Sequence, residues 1–272
     1  MVAIANQETA DRLIGSAIAI AREHSMDIRL LHVIEVPPQI PLSEGKVLLD
    51  EESGQQAMLA DAQDRCLQAD VQADSRIRYA RDVATGIVGA VSEHDVDGLV
   101  MGWRGRPRRT DIVLGSFLDR VLGEAQCDVF VKRIRRPPRD VDSILVPVVG
   151  GPHCDLSVTL ASGLANQYNA SVSIVHVLPE TATEDATRES EAMLSEYVHQ
   201  VEHLDIPVNA RIIQSDHVPG AVTDETAHHN LTILGTTREP FLNRKLVGSV
   251  AEGVARASAS QLMLTRAFNA EC

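Results

Sequence analysis

One segment of this chain occurs twice, and that repeat limits the possible folds more than any other feature. Gly102-Trp-Arg-Gly105, nine residues and Gly115-Ser116 are answered by Gly235-Thr-Thr-Arg238, nine residues and Gly248-Ser249. Each copy follows an apolar run and precedes an apolar-periodic segment, the order of a strand, a loop and a helix start. Unpaired backbone N–H groups at such a helix start can hold phosphate. The upstream segments repeat as well: Leu30-Leu31-His32-Val33 matches Ile174-Val175-His176-Val177, and Val2-Ala3-Ile4-Ala5 matches Val146-Pro147-Val148-Val149. The chain reads as one α/β domain written twice.

At 272 residues each half has the size of an ordinary domain, roughly 100 to 150 residues. The boundary falls at Arg135-Arg136-Pro137-Pro138-Arg139-Asp140, where paired prolines stop both helix and sheet. This predicts domains at 1–136 and 141–272 with a linker at 135–140. In the first half the periodicity predicts strands at 2–5, 28–36, 76–80, 98–102 and 129–134. Helices are expected through 13–21, over 51–68 and 85–92, and from 116, with 37–50 as a surface loop. In the second half strands are expected at 144–149, 171–178, 208–214, 231–235 and 262–266. The helices there are expected at 156–168, 187–204 and 222–229, and from 249. Five strands alternating with four helices in each half imply an α/β fold with a mainly parallel sheet covered on both faces.

A net charge of −13 repels polyanions, which argues against nucleic acid and anionic membranes as partners. Aromatic residues make up only 3% of the chain, too few for the stacking platforms that single-stranded nucleic acid needs. The charge is uneven: residues 1–139 carry 18 Lys+Arg against 21 Asp+Glu, and 140–272 carry 7 against 17. Arginine concentrates in the first glycine segment, at Arg104, Arg106, Arg108 and Arg109. No apolar run reaches roughly 18 residues and nothing resembles a signal peptide, so the expected location is the cytoplasm. Cys66, Cys127, Cys154 and Cys272 lack C-x-x-C spacing and read as free thiols.

In an open parallel sheet a ligand binds beyond the carboxyl ends of the strands. Ala5, Val33, Met101 and Gly102 lie at or near such ends and are expected to line one crevice. Gly102 lacks a Cβ and admits close approach to the backbone, and Gly105 can turn the loop. Gly115-Ser116 opens a helix that favours anions, and guanidinium groups such as Arg106 pair with phosphate. The alternative is that these glycines serve only a tight turn and helix packing. Catalytic candidates are scattered. His32 and His176 sit within apolar strands and read as hydrogen-bonded core residues, His199 and His203 as a solvated pair, and His228-His229 as a helix-end pair. No Walker lysine follows either glycine loop, and no catalytic or metal-binding set is assigned.

The pattern Gly102-x2-Gly105-x9-Gly115-Ser116, behind Leu31-His32-Val33 and Leu99-Val100-Met101, resembles the universal stress protein family, and the second half resembles it again over 144–149 and 234–249. The resemblance implies two Rossmann-like, adenine nucleotide alpha hydrolase-like α/β domains. In the ATP-binding branch it implies a nucleotide, with or without magnesium, held by the glycine loop. By position it implies Val33, Met101, Gly102, Gly105, Gly115, Ser116 and Phe117 in the first half. In the second half it implies Val177, Leu234, Gly235, Gly248, Ser249 and Val250. Family members that bind ATP end the first strand in an aspartate, where this chain has Ala5 and Val149. Arg238 replaces the second glycine of the later copy, so the first site is the expected one for ATP.

The segments Ala5-Asn6-Gln7-Glu8-Thr9, Gly102-Trp103-Arg104-Gly105-Arg106 and Gly150-Gly151-Pro152-His153 are similar to the paired stress-protein domains on the cytosolic side of some archaeal amino-acid permeases. That likeness implies a regulatory domain for a transporter. The expected function is a non-enzymatic nucleotide-binding regulator in which phosphate orders the 103–114 loop. The alternatives are an interaction scaffold that has lost nucleotide binding and a slow ATP hydrolase. Family members commonly pair through their last strands, which implies association of 129–133 with 262–266 within a chain or between chains.

Overall fold

The computed structural model describes residues 1–48, 52–104, 116–134, 140–202, 204–236 and 250–268. The chain divides into two compact units, Met1–Pro137 and Pro138–Cys272.

In the first unit the strands are β1 (Val2–Ala3), β2 (Ile28–Glu35), β3 (Ala73–Ala80), β4 (Gly98–Trp103) and β5 (Asp128–Arg133). The helices are α1 (Gln7–Glu23), the short α2 (Gly45–Leu48), α3 (Glu52–Gln68), α4 (Val83–Glu93) and α5 (Ser116–Glu124). The strand order is β3-β2-β1-β4-β5, every neighbour parallel. The direction of winding reverses at β1, which places a crevice beyond its carboxyl end, between β2 and β4.

Helices α1 and α4 form where an apolar stripe meets a capping residue. In α1 the buried Ala10, Leu13, Ile14, Ala17 and Ala21 recur at three- and four-residue spacing, and the alanines let the helix lie close on the sheet. Asn6 starts the helix: its side-chain oxygen accepts from the Thr9 amide at 2.9 Å, a cap worth about 1 kcal/mol. Asp82 caps α4 in the same way through the Thr85 amide at 2.8 Å. Leu30, Leu99 and Met101 are fully buried between the helical layers, each contributing roughly 1.5–3 kcal/mol.

Over its described residues, 37–48, the segment expected as a surface loop at 37–50 carries short helical structure. A 3-10 turn at Leu42–Glu44 leads into α2. Pro41, with φ −56°, sets up the turn. Gly45 then packs so closely that a Cβ there would stand 2.9 Å from Val36 Cγ2.

The second unit repeats the plan with β6 (Ser143–Pro147), α6 (Pro152–Tyr168), β7 (Ser171–Leu178), α7 (Glu184–Glu202), β8 (Val208–Gln214), α8 (Val218–Glu225), β9 (Leu231–Gly235), α9 (Val250–Ala257) and β10 (Gln261–Arg266). Its order is β10-β9-β6-β7-β8, again parallel throughout. Several helices begin earlier than their apolar periodicity suggests. Helix α6 starts at Pro152, a residue suited to a first helical turn, after Gly150 and Gly151 at φ +89° and +86°.

The repeat extends to hydrogen bonding. His32 Nδ1 lies 2.8 Å from the Ile4 carbonyl, and His176 Nδ1 lies 2.7 Å from the Val148 carbonyl. A carbonyl only accepts, so Nδ1 carries the proton in both rings. Each histidine thus satisfies the carbonyl just past the first strand of its unit.

Lys132 on β5 is less comfortably placed. Its ammonium donates to Ser16 Oγ at 2.8 Å, and burial, helped by the nearby charge of Arg12, pulls its pKa from 10.5 down to about 8. Between these values the unfolded chain holds a proton that the folded chain has shed. Stability therefore climbs with pH across roughly 8 to 10.5, and the full penalty is present below 8. Lys132→Met is expected to raise stability at pH 7 by on the order of 1–3 kcal/mol and to flatten that climb. Chemical denaturation at several pH values checks both outcomes.

Candidate functional site

A cavity of about 500 Å³ opens at the carboxyl ends of β1, β2 and β4, within the size range of small-molecule sites. Ala5, Val33, Met101, Gly102 and Phe117, all expected at a site, line this one space. Ser116 begins α5 beside Phe117. Gly105, Arg106 and Gly115 lie outside the described residues.

Glycine matters at two places. A Cβ on Gly102 would stand 3.0 Å from Ile134 Cδ1 and 3.4 Å from Thr9 Cγ2, so the bare backbone keeps the cavity open between α1 and the end of β5. On the other sheet face, a Cβ on Gly86 would stand 2.5 Å from Val33 Cγ1. Helix α4 can therefore sit directly on the strand that forms the wall.

The cavity also contains polar groups that the glycine pattern did not indicate, Asn6, Thr9, His32 and Glu35, together with Arg104 of the first glycine segment. Strand order sorts their charges. Because β1 lies between β2 and β4, Glu35 at the end of β2 and Arg104 just past β4 flank its end from opposite sides. Glu35 Oε1 accepts from the Val83 amide at 3.2 Å, and Asp82 caps the same helix start. The Thr85 hydroxyl and amide hold the Asp82 carboxyl below its ordinary range. Two carboxylates thus occupy the α4 N-terminus and would repel phosphate from it. On the β4 side Arg104 lines the cavity, and Arg12 donates to the Ile134 carbonyl at 2.9 Å. One end of the cavity suits a neutral hydrogen-bonding group, the other an anion.

The second unit treats the corresponding place differently. Counting from His32 and His176, His153 stands where the first unit has Thr9. A Cβ on Gly235 would lie 3.0 Å from the His153 backbone, so this glycine serves close helix packing. His153 Nδ1 accepts from the Ala267 amide at 3.0 Å, drawing its ring toward the end of β10. Below it, Ser157 and Thr265 share a 2.6 Å hydroxyl hydrogen bond. Leu234 is buried, whereas Val149, the counterpart of Ala5, is 72% exposed. Val177 lies in β7 and Val250 begins α9. Gly248 and Ser249 lie outside the described residues, as does Arg238.

Among the described residues the histidines noted in the sequence lie on separate elements, the adjacent His228-His229 pair excepted. His199 Nδ1 meets Glu202 at the surface, 3.0 Å away, and His203 lies outside the described residues. His229 meets Glu225 at 3.3 Å, and burial lowers its pKa. Among the described residues no group of three or more His, Cys, Asp or Glu is placed to hold a metal ion. Cys66, Cys127 and Cys154 are buried thiols; Cys272 lies outside the described residues. Among the described residues no helix is long and apolar enough to cross a membrane.

Two doubly wound α/β units, the first with a cavity at its strand-order switch, define a tandem Rossmann-like protein. The universal stress protein family matches residues 1–133 and again 141–266, and the chain belongs to that family. The fold is similar to that of a universal stress protein from Archaeoglobus fulgidus, at 18% identity and a TM-score of 0.69 over 98% of this chain and 96% of that one. It is also similar to a putative universal stress protein from Pseudomonas aeruginosa, at 16% identity and a TM-score of 0.64 over 94% and 88%. Among curated proteins the chain is 23% identical over 267 residues to the Na(+)/H(+) antiporter NhaS5 of Synechocystis. That match takes in 97% of this chain and 38% of the antiporter, so the chain spans well under half of that relative.

Proposed function

We propose that the first unit, taken as residues 1–136, binds an adenine nucleotide, ATP foremost, and that the chain is a non-catalytic stress-response regulator. The observation that carries this reading is the polarised cavity at the ends of β1, β2 and β4. Its volume of about 500 Å³ suits a nucleotide, and it carries a carboxylate toward the base end and Arg104 toward the phosphate end. Magnesium, where present, would accompany the phosphates. The second unit, taken as 141–272 beyond a 135–140 linker, is the weaker candidate because the α6 backbone packs against Gly235.

The partner that this reading favours is a cytoplasm-facing membrane transporter. Its support is the antiporter relative, which holds a region similar to 97% of this chain. Nucleotide occupancy would then set what the transporter meets.

Titration calorimetry of the full chain with ATP tests the site. Saturable binding at about one site per chain, with no phosphate release from labelled ATP, is the expected result. Phosphate release would move the reading to a slow hydrolase. No binding would leave the interaction scaffold, the reading to which Ala5 in place of an aspartate points.

A further inference from the structure

Glu8, in the first turn of α1, engages two arginines at once. Its Oε1 accepts from Arg12 Nη2 at 3.0 Å, and its Oε2 accepts from Arg104 Nη2 at 2.5 Å. The two arginines are not equivalent. Arg12 is mostly buried and anchored by its second nitrogen to the Ile134 carbonyl. Arg104 is exposed, lines the cavity, and pairs with the Glu8 carboxylate.

A carboxylate and a phosphate oxygen make the same kind of charge-assisted bond to guanidinium. An exposed pair of this type is held by little net energy, about 1 kcal/mol or less. An entering polyanion can therefore displace it. Glu8 need not be left unpaired by the exchange, because Arg12 remains fixed beside its other oxygen.

We infer that Glu8 is a resident competitor for the ligand's phosphate: it holds Arg104 at the cavity mouth and surrenders it to an incoming anion. The inference rests on the nucleotide reading of this cavity and adds a residue that sets affinity for phosphorylated over unphosphorylated ligands. Without the competitor, phosphate would meet an Arg104 with no prior engagement to break.

The test is calorimetric titration of ATP and of adenosine, which has no phosphate, into the full chain and three variants: Glu8→Gln, Arg104→Gln and the double variant. Thermal melts confirm that each is folded. Glu8→Gln is expected to tighten ATP binding by about three- to fivefold and to leave adenosine binding unchanged. Arg104→Gln is expected to weaken ATP binding by about tenfold. In the Arg104→Gln background, Glu8→Gln should no longer tighten it.

Persistence of the gain in that background would show that Glu8 acts through its general field, and would overturn the exchange. Unchanged or weakened ATP binding by Glu8→Gln would overturn it as well. If the wild-type chain binds adenosine as tightly as ATP, the inference fails while the nucleoside site stands. If it binds neither, the nucleotide reading itself fails and takes the inference with it.

Discussion

Gly102→Val is expected to weaken ATP binding by on the order of 100-fold while leaving the chain folded. Gly102 lines the cavity at the end of β4, and a side chain added there would have to fit between Ile134 and Thr9, which line it as well. A valine would project its branched carbon into that space. Its nearest neighbours, Ile134 Cδ1 at 3.0 Å, Ile134 Cγ2 at 3.3 Å and Thr9 Cγ2 at 3.4 Å from the added Cβ, are side-chain atoms rather than backbone, so small shifts can relieve the crowding. Valine also suits a strand. The stability cost should accordingly be about 1 kcal/mol, and the principal loss should be room for the ligand. Calorimetry measures the affinity and thermal melting the stability. A chain that unfolds, or one that binds ATP as before, would contradict the expectation.

The matching substitution in the second repeat has the opposite signature. Gly235→Val is expected to destabilise the second unit by about 2–3 kcal/mol and to leave ATP binding by the first unit unchanged. The added Cβ there meets the carbonyl carbon, carbonyl oxygen and Cβ of His153, all at 3.0 Å. Backbone inside a 17-residue helix cannot rotate away, so the whole start of α6 has to lift. Lifting it also strains the His153–Ala267 and Ser157–Thr265 hydrogen bonds. Denaturant unfolding followed by hydrogen exchange in the second unit reads the loss. A melt indistinguishable from wild type would show that α6 accommodates the side chain.

The same residue type, at the same point of a repeated sequence, thus serves a cavity in one unit and a packing contact in the other. That difference was not legible in the glycine spacing, because it depends on what stands opposite: Thr9 in one copy, His153 in the next. The alternation of strands and helices was legible. Fully buried parallel strands write themselves as apolar runs and their covering helices as apolar stripes, so β7, β8 and β9 run where the pattern places them. Helix starts were less so, since caps outrank periodicity: Asp82 starts α4 at Val83, and the Gly151-Pro152 pair starts α6 well before Leu156.

The site was legible in part for a related reason. Ala5, Val33, Met101 and Gly102 sit at strand ends, and strand ends can be read from where apolar runs stop. Glu35 and Arg104 close equally simple segments, yet their meaning comes from strand order, which sets them on either side of β1. Asn6 and Thr9 were hidden by distance along the chain from the glycine loop. Asn6 carried a usable signal, a capping residue directly before an apolar-periodic stretch.

Strand β1 is two residues long and sits between β2 and β4. Past Ala3 its ladder continues through the Ile4 amide, which donates to the Leu31 carbonyl at 2.8 Å, and the His32 ring takes the Ile4 carbonyl. Beyond that point β2 and β4 run on with no strand between them among the described residues. A ligand seated there fills the gap as a removable splice, and its binding energy adds to the cohesion of the strands it bridges. On the proposed nucleotide reading, the sheet of the first unit is one whose central seam a metabolite tightens or loosens, and its resistance to local opening becomes a measure of how much of that metabolite is present.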